Sequence, residues 1–157
     1  KEFKRPSNSG NIVVESLGEG RARQILWERN VPDKDLLSTI EAGKSVLLYH
    51  DPHIPEERYI DTLSDIEDFL ILDGTWQEAR KIYNKSPYLQ SMKIFSLSSD
   101  NESRYNIRRN QKEGGLCTAE CVMELLKLKG EDQDAEILNN SFLNFLERMI
   151  SRVILKK

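Results

Sequence analysis

The sequence holds only two cysteines and two histidines among its 157 residues. That excludes a disulfide-built scaffold and leaves little material for a metal centre. No apolar run approaches the roughly 18 residues needed to cross a bilayer, and no signal-peptide pattern opens the chain. Internal repeats and low-complexity tracts are absent too. Lys1 stands where an initiator methionine would, so the sequence is expected to be part of a longer protein. Charge lacks a dominant sign: 23 Lys and Arg face 26 Asp and Glu, a net of -3. Such a balance argues against a general nucleic-acid coat, yet leaves room for a local basic surface.

What is present is an ordinary soluble composition, 38% hydrophobic and 31% charged, long enough for one domain over residues 1–157. The most informative stretch runs from Phe69 to Lys81. Phe69 to Leu72 is an unbroken apolar run bounded by a turn signal, which reads as a buried strand. Gly74 allows a tight turn, and Gln77 to Tyr83 favour a helix. Asp73 would then stand at the carboxyl edge of a parallel sheet, where open α/β folds hold their ligands. It could equally be a helix cap. Trp76, in the first turn of that helix, is either a core anchor or a partly exposed stacking surface.

Ser45 to Tyr49 and Lys93 to Leu97 read as two further strands, and Ala22 to Trp27 as another. Helices are expected from a Ser9 cap to Leu17, from Pro32 to Gly43, from a Thr118 cap to Lys129, and from Asp134 to Leu155. Helices alternating with buried strands argue for an α/β fold with a mostly parallel sheet covered on both faces. His50 and His53 share a Pro-containing loop that suits a turn better than a metal site, so no metal is expected. Cys117 and Cys121 lie on one helix face without His or acidic partners at ligand spacing, and read as small buried residues in a reducing compartment. Arg104, Arg108, Arg109 and Lys112, interleaved with Tyr105, form either a solvated face or a phosphate-contacting and base-stacking patch.

Four motifs, in order, carry a family resemblance. Asp73-Gly74-Thr75-Trp76 resembles the signature of DTW-domain proteins. Upstream, Glu2 and Arg5 to Gly10 resemble that family's acidic residue and Ser/Thr-Asn-Ser/Thr-Gly turn. Downstream, Ser103-Arg104-Tyr105 precedes an Arg-rich segment, and Leu116-Cys117-Thr118-Ala119-Glu120 is similar to the family's Leu-Ser-Thr-x-Glu-Ala helix start. Cys117 departs from the usual Ser, and Cys121 from the usual Ala.

The resemblance implies a SPOUT-like fold whose C-terminal part threads a knot around its cofactor. It also implies an activity: transfer of the 3-amino-3-carboxypropyl group of S-adenosylmethionine to N3 of a uridine in tRNA. Asp73 is then the expected base or uracil-orienting group, with Thr75 and Trp76 beside it and Glu120 the alternative base. The cofactor is expected along Leu72, Leu97, Ser98, Leu116, Cys117, Thr118 and Glu120, with Ser7, Asn8 and Ser9 holding its amino and carboxylate groups or merely forming the turn. Arg104, Tyr105, Arg108, Arg109 and Lys112 would meet the tRNA. A cytoplasmic monomer without membrane partners is expected. Methyl transfer from the same cofactor and non-catalytic RNA binding are the competing activities.

Overall fold

The protein is described here from a computed structural model, which covers residues 8–18, 20–97 and 117–155, with side chains as far as Arg148. It is an α/β protein with a small parallel sheet. The chain divides into two compact units, Lys1–Gln24 with Ser99–Lys157, and Ile25–Ser98.

The contiguous unit holds helix α2 (Lys34–Glu41), the strands β1 (Ser45–Leu48), β2 (Asp68–Ile71) and β3 (Ile94–Phe95), and helices α3 (Trp76–Asn84) and α4 (Pro87–Gln90). The sheet order is β2-β1-β3, and both pairings are parallel. Register fixes its faces, because side chains alternate along each strand. Leu47 opposes Leu70 on one side and Ile94 on the other. Two residues on, Tyr49 and Leu72 repeat that face. Against it pack Trp76, Ala79, Ile82 and Tyr83 from α3 and Leu89 from α4. Leu47 and Ile94 are fully buried. Truncating either would cost about 2–5 kcal/mol, the range for buried aliphatic side chains.

Two expectations change here. β1 is the central strand, whereas β2 pairs on one side only among the described residues and its apolar run is half-buried. Residues 22–27 form no strand. Among the described residues the Ile25–Trp27 patch has no neighbour to complete a ladder. Leu26 turns to solvent at 62% exposure, while the Trp27 indole N–H donates to Ser86 Oγ at 2.9 Å.

The turn into α3 explains its own sequence. Thr75 has extended backbone and its hydroxyl accepts from the Glu78 N–H at 3.2 Å, while Glu78 Oε2 accepts from the Thr75 N–H at 3.2 Å. This reciprocal box satisfies two of the helix's orphan donors. A Cβ on Gly74 would stand 2.9 Å from Glu78 Oε2 and 3.1 Å from Glu78 Cβ. Glycine is therefore favoured by the close approach of the capping carboxylate rather than by an unusual φ.

The second unit joins α1 (Gly10–Leu17), α5 (Thr118–Leu128) and α6 (Asp132–Leu155). Ile12, Val13, Met123, Leu126, Leu138, Phe142 and Phe145 form its core, with the two Phe rings stacked at 6.2 Å. Gly130, at φ 75°, ends α5; the Glu131 N–H donates to Leu126 O at 2.8 Å and the Gly130 N–H to Lys127 O at 3.0 Å. That pair of bonds is a Schellman turn, and a left-handed residue there favours glycine. Both expected capping bonds shift. Ser9 holds the N-cap position of α1 but its side chain makes no capping bond; Asn8 supplies that bond instead, its Oδ1 accepting from the Asn11 N–H at 3.1 Å. Cys117, not Thr118, caps α5.

Thr75→Ala is expected to lower stability by about 1 kcal/mol, the usual worth of a helix N-cap, with Thr75→Ser near neutral. Gly74→Ala strikes the same box, so its loss should not add to that of Thr75→Ala. Denaturant titration of the two single variants and the double variant measures this. Full additivity would mean that the glycine serves something other than the cap.

Candidate functional site

Parallel pairing delivers three strand ends to one edge of the sheet. β1 runs out into Tyr49 and His50, β2 into Leu72 and Asp73, and β3 into Ser96 and Leu97. His50 Nδ1 and Ser96 Oγ lie 3.4 Å apart across that edge. Asp73 is half-buried between the end of β2 and the α3 N-terminus. It is not the helix cap, because Thr75 fills that role. Helix donors and partial positive charge at this terminus favour an anionic or oxygen-rich group nearby.

Trp76 opens α3 and is half-buried. Its indole stacks on the Tyr49 ring at 6.1 Å with 18° between planes, and Tyr49 in turn stacks on Tyr83 at 4.8 Å and 20°. Three near-parallel rings thus line the inside of the edge. Arg58 locks the far end: its Nη1 donates to Tyr83 Oη at 2.7 Å and its Nη2 to Met92 O at 2.7 Å. Tyr49 is 7% exposed, and burial, reinforced by the charge of Asp51, pushes its phenol up to about 12. The following loop is a tight turn. Asp51 Oδ1 accepts from the His53 N–H at 2.9 Å, and Tyr59 Oη donates to Asp51 O at 2.9 Å. Among the described residues no three His, Cys, Asp or Glu side chains cluster to hold a metal ion.

Asn8, Ser9, Cys117, Thr118 and Glu120 come together in the other unit, where α1 meets α5. Ser9 is fully buried, and its Oγ accepts from the Ala119 N–H at 3.2 Å. Glu120, 6% exposed, closes a capping box, its Oε1 accepting from the Cys117 N–H at 3.3 Å while Cys117 Sγ accepts from the Glu120 N–H. Burial pushes the Cys117 and Cys121 thiols up to about 12, so both stay protonated at neutral pH. These groups hold two helix starts together.

Ser7, Ser98, Leu116, Arg104, Tyr105, Arg108, Arg109 and Lys112 lie outside the described residues. Sequence reasoning passed over Tyr49 and Ser96. The pattern that could have found them was the strand reading itself, since every parallel strand must end at the same edge.

No helix among the described residues is long and apolar enough to cross a membrane. The tRNA-uridine aminocarboxypropyltransferase 2 of Drosophila melanogaster is 29% identical over 92 residues, which covers 59% of this chain and 37% of the fly protein. The match thus spans well under half the length of that curated relative. No solved structure matches the chain. The DTW domain matches residues 1–154, almost the whole sequence. With its Asp73–Trp76 signature set at the carboxyl edge of a parallel sheet, the chain belongs to the DTW-domain family.

Proposed function

We propose that this chain transfers the 3-amino-3-carboxypropyl group of S-adenosylmethionine to N3 of a uridine in tRNA. One observation carries the reading: in a DTW domain, Asp73 to Trp76 stand where three parallel strands end, the edge at which open α/β folds bind ligands. The name of the fly relative supports it. The SPOUT-like, knotted arrangement, the tRNA partner and a monomer acting in the cytoplasm go with the same reading.

The edge residues suit such a donor. Trp76 offers an aromatic face to a sulfonium or a base, Leu72 and Leu97 offer apolar cover for a methyl, and Tyr49 offers a buried hydroxyl. When bound, S-adenosylmethionine supplies a carbon made electrophilic by its sulfonium, and methylthioadenosine is what leaves. The chain's own work is positioning and one proton. Asp73 accepts the N3 proton of uracil as the N3–carbon bond forms, or orients the ring for that attack. Thr75 keeps the turn that aims Asp73, and Trp76 stacks. The family resemblance also assigns Ser7, Asn8, Ser9, Ser98, Leu116, Cys117, Thr118 and Glu120 to cofactor binding, and Ser9 and Glu120 fasten the helix starts of their own unit. Arg104, Tyr105, Arg108, Arg109 and Lys112 contact tRNA phosphates and bases.

Mass spectrometry of tRNA nucleosides after incubation with S-adenosylmethionine is the direct test. An added aminocarboxypropyl group with methylthioadenosine released is expected. An added methyl with S-adenosylhomocysteine would replace the reading by methyl transfer, and binding of tRNA without any product would leave an RNA-binding module.

Asp73→Asn is expected to lower turnover by about 10²–10⁴, the usual loss on removing a general base, with S-adenosylmethionine affinity held within several-fold. Near-wild-type turnover would sink the assignment. Replacing Arg108 and Arg109 together by Ala should weaken tRNA binding and flatten its salt dependence by roughly 0.7–0.9 per lost phosphate contact. An unchanged slope in binding titrations would remove both from the interface.

A further inference from the structure

Buried polar groups without a partner are rare, because each loses its bonds to water and regains nothing. Three tyrosines cluster at this end of the sheet, and two are satisfied. Tyr59 Oη donates to Asp51 O at 2.9 Å and accepts from the Asp51 N–H at 3.1 Å. Tyr83 Oη accepts from Arg58 Nη1 at 2.7 Å. The Tyr49 hydroxyl, on a residue 7% exposed, has no hydrogen-bond partner among the described residues.

Tyr49 has little freedom to find one. Its backbone N–H is tied to Phe95 O at 3.2 Å, and its ring is held between Trp76 and Tyr83. Stacking and burial need the ring alone, and phenylalanine would serve them equally well. Among the described residues the hydroxyl is therefore surplus to the fold. Burial holds it protonated at neutral pH, with the Asp51 charge acting in the same sense and Arg80 opposing, so it is a donor in want of an acceptor.

We infer that Tyr49 Oη is a ligand-binding group, which donates a hydrogen bond to a planar oxygen acceptor on the molecule held beside Trp76 at the carboxyl edge. Given the reaction proposed above, on which this inference rests, two groups carry that chemistry. One is the carboxylate of the donor's amino-acid tail, and the other is a carbonyl of the acceptor uracil.

Tyr49→Phe keeps the ring and removes only the hydroxyl. Without ligand, its melting temperature is expected to rise by roughly 2–4 °C, because a buried unsatisfied group is lost. Calorimetric titration with S-adenosylmethionine, S-adenosylhomocysteine and methylthioadenosine then identifies the acceptor. If Tyr49 holds the carboxylate, the first two lose roughly tenfold in affinity, and methylthioadenosine, which lacks that tail, loses none. If Tyr49 holds the uracil, all three affinities stay the same and kcat/KM for tRNA at saturating donor falls roughly tenfold. A more stable variant with unchanged affinities and unchanged kcat/KM would overturn the inference. So would a less stable one, which would mean that the hydroxyl is bonded within the protein itself. The proposed reaction fails separately: a wild-type chain that transfers nothing, yet loses S-adenosylhomocysteine affinity on Tyr49→Phe, sinks the reaction and leaves Tyr49 in its role.

Discussion

The parallel pairing of β1 with both neighbours is the constraint on which the candidate site depends. Had either neighbour run the other way, its following loop would leave from the opposite edge. Tyr49, Asp73 and Leu97 would then not share one. Register does the rest. Leu47 sits between a half-buried Leu70 and a fully buried Ile94, and the same alternation sets Tyr49 and Leu72 above it, in reach of α3. The hydrophobic layer that stabilises the sheet thus also aims the rings that line its end.

Within the signature of the family, the four residues divide their labour. Gly74 makes room for the Glu78 carboxylate, and Thr75 closes the cap with it. Trp76 extends the ring stack. All three are accounted for by local architecture. Asp73 stands just before the cap, which Thr75 and Glu78 close between them. That division is why a motif containing one chemically interesting carboxylate comes with such strict neighbours.

Much of this was legible in the sequence. Strand β1, the β2-to-α3 turn, the glycine stop after α2 and the long C-terminal helix follow from apolar periodicity and turn chemistry. The failures have physical causes. Ile25-Leu26-Trp27 looks like a strand by composition, but a strand exists only with a partner, and no window of sequence contains its partner. Phe69 to Leu72 looks fully buried because apolar runs cannot tell a central strand from an edge. Ser9 looks like the cap of its own helix, whereas its hydroxyl meets Ala119, 110 positions away. The orphan hydroxyl of Tyr49 could not be foreseen, since satisfaction of a polar group is a property of the packed state.

The Ser9–Ala119 bond has a temporal consequence. Residues Ile25–Ser98 are continuous in the chain, and their sheet can form as soon as β3 has been synthesised. The core of the unit built from Lys1–Gln24 and Ser99–Lys157 cannot, because among the described residues α5 and α6 complete the core that takes in Ile12 and Val13. Helix α1 is therefore made some hundred residues before the helices that complete its core. Chain closure over that distance makes the α1–α5 junction a late and slow step of folding.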